Sequence, residues 1–196
     1  ESATTTAEPG ILMWDNITKN LPAHDYPAYK TICTNPCAEI PLSAYDSCRL
    51  ISVNLKNFVE NPFTDKASFN FDSFGDTVRQ AMRLSDDLVE LEIEKITSIM
   101  NSCDTKDEKA LWLKLRDAAA NGRRTGLGTH GLADALACLR LRYDGDDAIK
   151  VIDKIYGTLK TEAYRESCNL AVERGPFPHC DWEIEKDNAY IKALPQ

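Results

Sequence analysis

No run of apolar residues in this 196-residue chain approaches the roughly 20 that a membrane-spanning helix needs, and no secretory leader opens it. No membrane partner is therefore expected. An excess of basic charge is missing too: 23 Lys and Arg stand against 31 Asp and Glu, for a net charge of −8 and a pI near 4.9. Phosphate backbones are neutralised by clustered Lys and Arg, so direct nucleic-acid binding is not expected. A single nucleotide is another matter, because backbone amides and a few donors suffice to hold one. There is no low-complexity tract and no repeat period, which excludes a solenoid. Paired CxxC ligand sets are absent although the chain has seven cysteines, so no metal site is expected. Without an export signal, reduced thiols and a cytoplasmic location are the expectation, with some thiols available for redox or catalytic use. The chain opens on Glu1 rather than methionine, which is compatible with a processed product or a piece of something larger.

What is present reads as a globular α/β chain dominated by helices. "EPGILMWDNITKN" is a turn followed by a short helix, with Ile11, Leu12, Trp14 and Ile17 as its apolar set. Residues 20 to 46 contain Pro22, Pro27, Pro36 and Pro41 and are read as loop, since proline removes donors and biases its predecessor to extended geometry. "SCRLISVNL" alternates and predicts a strand at about 48–55. A long helix follows, with Phe74, Val78, Ala81, Met82, Leu88, Ile96 and Ile99 at helical spacing and Asp72 as its N-cap. "KDEKALWLKLRDAAANG" is a second helix closed by Asn121-Gly122. After the extended "RRTGLGTHG" and the helix "LADALACLRL", a last long helix carries Ala148, Val151, Ile152, Ile155, Leu159, Ala163 and Leu170 on one face and stops at Gly175-Pro176.

Several motifs have a bland reading that outweighs the sharp one. Gly126, Gly128 and Gly131 spell G-x-G-x-x-G, but the preceding βαβ context of a dinucleotide site is missing, so a tight strand-to-helix corner is preferred. His130 at that corner is read as hydrogen-bonded rather than metal-bound, and His24 and His179 carry no partner signal. Cys33, Cys37 and Cys48 match no common zinc spacing. Cys103, Cys138 and Cys168 sit in or beside helices, where buried structural thiols are the default.

"TNPCAEIPL", residues 34–42, is the informative stretch. In an extended loop, positions i, i+2 and i+4 project to one side, so Asn35, Cys37 and Glu39 are expected to line one short edge. A carboxylate beside a thiol raises the thiol's pKa, which disfavours a cysteine-protease reading. A neutral thiol beside a general base suits chemistry in which sulfur transfers a hydrogen atom while the carboxylate takes a proton from a substrate hydroxyl. The alternative, a loop whose Asn and Glu cap nearby backbone, stays open on spacing alone.

At this point four segments in order resemble one family. "TNPCAEIPL" followed by "YDSCRLISVNL" resembles the finger loop and following strand of the ribonucleotide reductase large, catalytic subunit. "AEPGILMWDNI", "GRRTGLGTHGLADAL" and "AVERGPFP" resemble its flanking signatures. The resemblance implies a partial segment of that family's ten-stranded α/β barrel. Residues 1–196 would be part of one catalytic barrel domain, with the lead-in helix, finger loop and strand in 1–60, and helices and the strand-to-helix corner in 61–196. It places Cys37 at the thiyl-radical cysteine that abstracts the ribose 3′-hydrogen and Glu39 at the base that deprotonates the 3′-hydroxyl. It places Asn35 at the amide that hydrogen-bonds the ribose hydroxyls, and Cys48 at one of the two redox cysteines.

Asn-Pro-Cys, with Cys48 eleven positions after Cys37, looks like the adenosylcobalamin-dependent class II enzymes, although Ala38, Arg49 and Ile51 replace a common Gly, Asn and Gly. The implied cofactor is adenosylcobalamin, bound mainly outside this segment, with an external thiol reductant such as thioredoxin. A class I piece served by a separate metal-containing radical subunit is the near alternative. A non-catalytic remnant or interaction module is a further one, and a simple thiol oxidoreductase using Cys37 and Cys48 is disfavoured by their spacing. The upstream strand bearing the partner of Cys48 and the diphosphate-holding segment are not found. The chain therefore reads as an internal piece that needs the remaining segments of the catalytic subunit, in cis or trans, to act on a ribonucleotide. Alone, it is expected to expose apolar barrel surface and to associate with itself or its complement.

Overall fold

Proline spacing and apolar periodicity divide the sequence into two kinds of structure, and the computed structural model, which describes residues 1–47 and 49–194, follows that division. Residues 1–46 and 181–194 form one unit, and the described residues of 47–180 form a second. The first unit begins with three short helices, α1 (Ser2–Thr6), α2 (Trp14–Lys19) and α3 (Pro22–Asp25). Pro22 opens α3 and Pro27 opens the 3-10 turn Pro27–Tyr29, the helix-start position where a missing N–H costs nothing. The stretch expected to be all loop thus contains two single turns of helix. The apolar set of the lead-in helix is not buried: Ile11 is 67% exposed, and α2 has no buried residue. A small hairpin follows, β1 (Cys33–Thr34) against β2 (Pro41–Leu42), antiparallel, with Cys33 opposite Leu42.

In the second unit the strand predicted at about 48–55 is β3 (Leu50–Asn54). The pair β4 (Val59–Glu60) and β5 (Ser68–Phe69) is antiparallel and leads into α4 (Phe71–Asn101). The cap of α4 is Asn70, not Asp72: its Oδ1 accepts the Ser73 N–H at 2.9 Å. α5 (Lys106–Gly122) is capped by Thr105, whose hydroxyl accepts the Glu108 N–H, and it spans the residues expected, with Arg123 rather than Gly122 in the left-handed region, at φ 43°. β6 (Gly126–His130), α6 (Leu132–Cys138) and α7 (Asp146–Arg174) complete the unit.

The core is where the periodic faces converge. Val53, Leu55, Phe58, Phe69, Phe74, Val78, Ala135 and Ile155 form one buried cluster, with Val151, Leu159 and Ala163 of α7 packed against it. Phe74 stands edge-on to Phe58 and Phe69 at centroid distances of 5.2 and 5.5 Å, a preferred aromatic geometry. Beyond the core, α4 and α7 are laced by ion pairs: Arg79 with Glu162, Arg83 with Glu166 and Glu173, and Arg174 with Asp86 and Asp87. Asp86 is buried, and its two oxygens are taken by Arg123 and Arg174, each at 2.7 Å, as a buried carboxylate requires.

β3 and β6 run parallel in register from Leu50 opposite Gly126 to Asn54 opposite His130. The fold is α/β and helix-rich, as expected. Among the described residues the strands form three two-stranded sheets, so this chain by itself closes no barrel.

Residues 181–194 carry α8 (Trp182–Glu185) and α9 (Ala189–Lys192) and belong to the first unit. The buried Tyr26 hydroxyl donates to Glu185 Oε1 at 2.7 Å, and Asn188 donates to Asp25 at 2.8 Å, which ties this end of the chain to its beginning.

Candidate functional site

The segment that carries Asn35, Cys37 and Glu39 is the six-residue loop joining β1 to β2. Its proline dictates a turn. Pro36 has φ preset for the second position of a β-turn, and the Ala38 N–H bonds back to the Asn35 carbonyl at 3.0 Å. Ala38 then enters the left-handed region at φ 67°, a conformation that glycine adopts without strain. The extended edge expected from i, i+2, i+4 spacing is therefore not what forms: the chain reverses, and the three residues share a tight hairpin loop.

Asn35 organises that loop. Its N–H donates to the Ile40 carbonyl at 3.1 Å, and its side-chain Oδ1 accepts the Ile40 N–H at 3.0 Å. The backbone-capping reading left open for this residue is what the structure displays. With Oδ1 on the Ile40 N–H, the amide Nδ2 has no hydrogen-bond partner among the described residues. Asn35 is half-buried, while Cys37 and Glu39 are exposed, and among the described residues neither of their side chains has a hydrogen-bond partner. The loop thus presents a thiol, a carboxylate and an amide NH2 to whatever covers it.

Cys48, the fourth expected site residue, lies outside the described residues. Its neighbour Arg49 is buried, at 7% exposure. The Arg49 guanidinium pairs with Glu92 of α4 and donates to the Arg124 carbonyl, while its Nη2 has no partner. Arg49 was legible only as a departure from the family pattern. The alternation Arg49-Ile51-Val53 puts an arginine on the apolar face of a strand, and that signal could have announced a buried carboxylate partner.

The remaining motif residues resolve simply. The glycine-rich segment is the strand-to-helix corner expected of it: Gly126 and Gly128 lie on β6, and Gly131 caps α6 at φ 74°. A Cβ at Gly131 would stand 2.7 Å from Asn54 Oδ1, so both the backbone angle and the close approach demand glycine. His130 is hydrogen-bonded, its Nδ1 3.0 Å from Ser52 Oγ across the two strands. Cys138 is buried as expected, Cys103 is only half-buried, and Cys168 is exposed on the outer side of α7, a correction to its reading as a core thiol. Burial and a neighbouring Glu108 push the Cys103 thiol up from its ordinary value. Among the described residues no group of three or more His, Cys, Asp or Glu side chains converges as a metal set.

Comparison with known proteins supplies the family. The model of the ribonucleotide reductase barrel domain matches residues 1–193. The chain belongs to the ribonucleotide reductase barrel-domain family. It is 30% identical over 194 residues to a vitamin B12-dependent ribonucleoside-diphosphate reductase of Thermoplasma acidophilum, covering 94% of this chain and 22% of that protein. An identically named protein of Mycobacterium tuberculosis is 30% identical over 179 residues, covering 91% of this chain and 22% of that protein. The ribonucleoside-diphosphate reductase large chain of Neurospora crassa is 27% identical over 181 residues, covering 90% of this chain and 17% of that protein. The chain thus spans about a fifth of the length of the curated relatives it matches. Membership in the barrel-domain family also accounts for β3 and β6 as neighbouring parallel strands with helices packed on one face.

Proposed function

We propose that this chain is the finger-loop portion of the catalytic subunit of a ribonucleotide reductase, acting on a ribonucleoside diphosphate once the rest of the barrel is supplied. The observation that carries the reading is the β1–β2 loop, on which an exposed thiol, an exposed carboxylate and a spare amide sit within five residues of a chain from this family. In this reading Cys37, as a thiyl radical, takes the 3′-hydrogen of the ribose and Glu39 takes the 3′-hydroxyl proton. Asn35 Nδ2 donates to a ribose hydroxyl, and its Oδ1 keeps the loop closed. The 2′-hydroxyl leaves as water, and Cys48 with a second cysteine outside this chain supplies two electrons and ends as a disulfide. An external dithiol of the thioredoxin kind then reduces that disulfide.

The names of the two relatives at 30% identity favour a vitamin B12-dependent enzyme over one served by a separate radical subunit. Two of the grooves among the described residues are open to solvent. One is lined by residues such as Ile51, Phe58, Gln80 and Leu84, the other by residues such as Lys19, Asp25 and Asn188, and neither presents an imidazole or a thiol. Neither groove supplies a side chain that would ligate a corrinoid.

The test is turnover in the complete catalytic subunit. Cys37→Ser should abolish deoxyribonucleotide formation. Cys48→Ser should block sustained turnover while leaving hydrogen exchange at the substrate 3′-carbon detectable. A Cys37→Ser enzyme that still makes deoxynucleotide would overturn the assignment.

A further inference from the structure

The two faces of the β3–β6 pair differ sharply. One packs on helices: Val53 is buried, and Leu127 rests on the cluster that includes Phe74, Val78 and Ile155. Side chains alternate along a strand, so the other face carries Leu50, Ser52 and Asn54 from β3 with Gly126, Gly128 and His130 from β6. Ser52 and His130 are exposed on it, 55% of Leu50 is exposed, and a Cβ built at Gly128 would meet nothing within 4 Å. In an α/β barrel the helices form the outer ring, so the helix-free face looks into the lumen.

The polar groups on this face collect at one end. Asn54 and His130 are the last residues of two parallel strands and are register partners. Ligands of parallel α/β folds sit beyond the carboxyl ends of such strands. Both side chains are held from behind. Ser52 Oγ lies 3.0 Å from His130 Nδ1, and Asn54 Oδ1 accepts the Lys56 N–H at 3.2 Å. Either atom can donate in the Ser52–His130 bond; in the tautomer where the hydroxyl donates to Nδ1, the ring hydrogen lies on Nε2. The free groups are then two donors, His130 Nε2–H and Asn54 Nδ2, which call for an oxygen acceptor.

We infer that His130, oriented by Ser52 and flanked by Asn54, donates a hydrogen bond to an oxygen of the ribonucleotide substrate. This rests on the function proposed above. Its loss weakens substrate binding rather than the chemical step. In the complete catalytic subunit, His130→Ala should raise KM for the ribonucleoside diphosphate about tenfold, the loss of one buried hydrogen bond, with kcat within about twofold. His130→Gln, which keeps a donor near the Nε2 position, should recover most of the affinity. Ser52→Ala, which frees the ring, should give an intermediate KM.

Equilibrium binding of nucleoside and of nucleoside diphosphate to the Ala variant tells which oxygen is met. A loss confined to the diphosphate assigns the contact to phosphate, and an equal loss for both assigns it to the nucleoside. Unchanged KM and binding in both His130→Ala and Ser52→Ala would overturn the inference, as would a fall in thermal stability with affinity intact, which would mean that polypeptide covers this face. Cys37→Ser in the same preparation separates the two claims. If it still turns over, the catalytic reading fails. If it is dead while the His130 variants bind normally, the inference alone fails.

Discussion

Asn35 is asked to do two things with one amide, and the geometry lets them be separated. Its Oδ1 accepts the Ile40 N–H at 3.0 Å and closes the loop, while Nδ2, which has no partner among the described residues, is the proposed donor to the ribose. Asn35→Ala removes both functions. Asn35→Asp keeps an acceptor for Ile40 and removes only the donor. A single hydrogen bond to a half-buried backbone amide contributes about 1 kcal/mol net, within a range of about 0.5–1.5, so the alanine variant should open the loop roughly fivefold more often, between about two- and thirteenfold. Amide hydrogen exchange on the 196-residue chain reads this directly at Ile40, whose reciprocal bond from the Asn35 N–H to the Ile40 carbonyl is retained in every variant. The aspartate variant should leave Ile40 protection at or above the native level, because an ionised acceptor strengthens the bond. In the complete enzyme both variants should lose turnover. If the aspartate variant loosened Ile40 as much as alanine does, Oδ1 would not be the loop's lock. If either variant kept native turnover, Nδ2 would have no part in binding.

Three further outcomes follow from the same structure. Ala38→Gly should tighten the loop: removing a left-handed alanine relieves about 1–2 kcal/mol, offset by about 0.4–1 kcal/mol of added freedom in the unfolded chain, and Ile40 protection should rise, not fall. The Arg49–Glu92 pair should respond asymmetrically, since the Arg49 side chain is 5% exposed and that of Glu92 is 26% exposed. Glu92→Ala, which strands a buried guanidinium, should cost about 3 kcal/mol by urea unfolding. Arg49→Met, which leaves a carboxylate that water can reach, should cost about 1–2 kcal/mol, and the reverse order would refute the burial argument. The hydrogen bond from Arg83 holds the Glu173 carboxyl below its usual range, against a smaller desolvation effect. A carboxyl lowered on folding contributes stability that is complete above its unfolded pKa of about 4.3 and is lost as pH falls through the lower folded value. Glu173→Gln should therefore flatten the acid limb of a stability–pH curve, and an unchanged limb would show the pair to be inert.

The fold was legible wherever one face of an element is buried. The spacing of Phe74, Val78 and Ile96, and of Ala148, Ile155 and Leu170, located α4 and α7 because the helical period survives any tertiary arrangement that buries one face. Helix ends were less legible. Asp72 and Asn70 are both good caps by type, and the choice fell to Asn70 because the chain leaves β5 at Phe69 and must turn there. Gly122 looked like the left-handed cap of α5. Arg123 takes that conformation instead, because its guanidinium gains Asp86 and Glu90 of α4, contacts that no local propensity encodes. The lead-in helix failed for a related reason. Ile11, Leu12 and Trp14 are spaced for burial, but no described element of this chain covers Ile11 or Leu12, as suits a segment one-fifth the length of its relatives.

The candidate loop was legible in its residue types and not in its shape. Residue types alone brought Asn35, Cys37 and Glu39 together, but the period-2 argument assumed an extended chain, and Pro36 followed by a left-handed Ala38 makes a reversal instead. That difference matters chemically. On an extended edge the three side chains would be held only by neighbouring strands. In the hairpin the loop is closed by Asn35's own backbone and Oδ1, so the turn that carries Cys37 and Glu39 is held by contacts within the loop itself. Preorganisation of that kind places the cost of ordering the loop in folding rather than in the transition state. It also explains why Asn suits position 35: Asp would close the loop but bring a second negative charge beside Glu39, and Ser is too short to span to Ile40 while leaving a donor outward. Only a side chain with an acceptor on one side and a donor on the other can lock the loop and still offer a hydrogen bond to a hydroxyl.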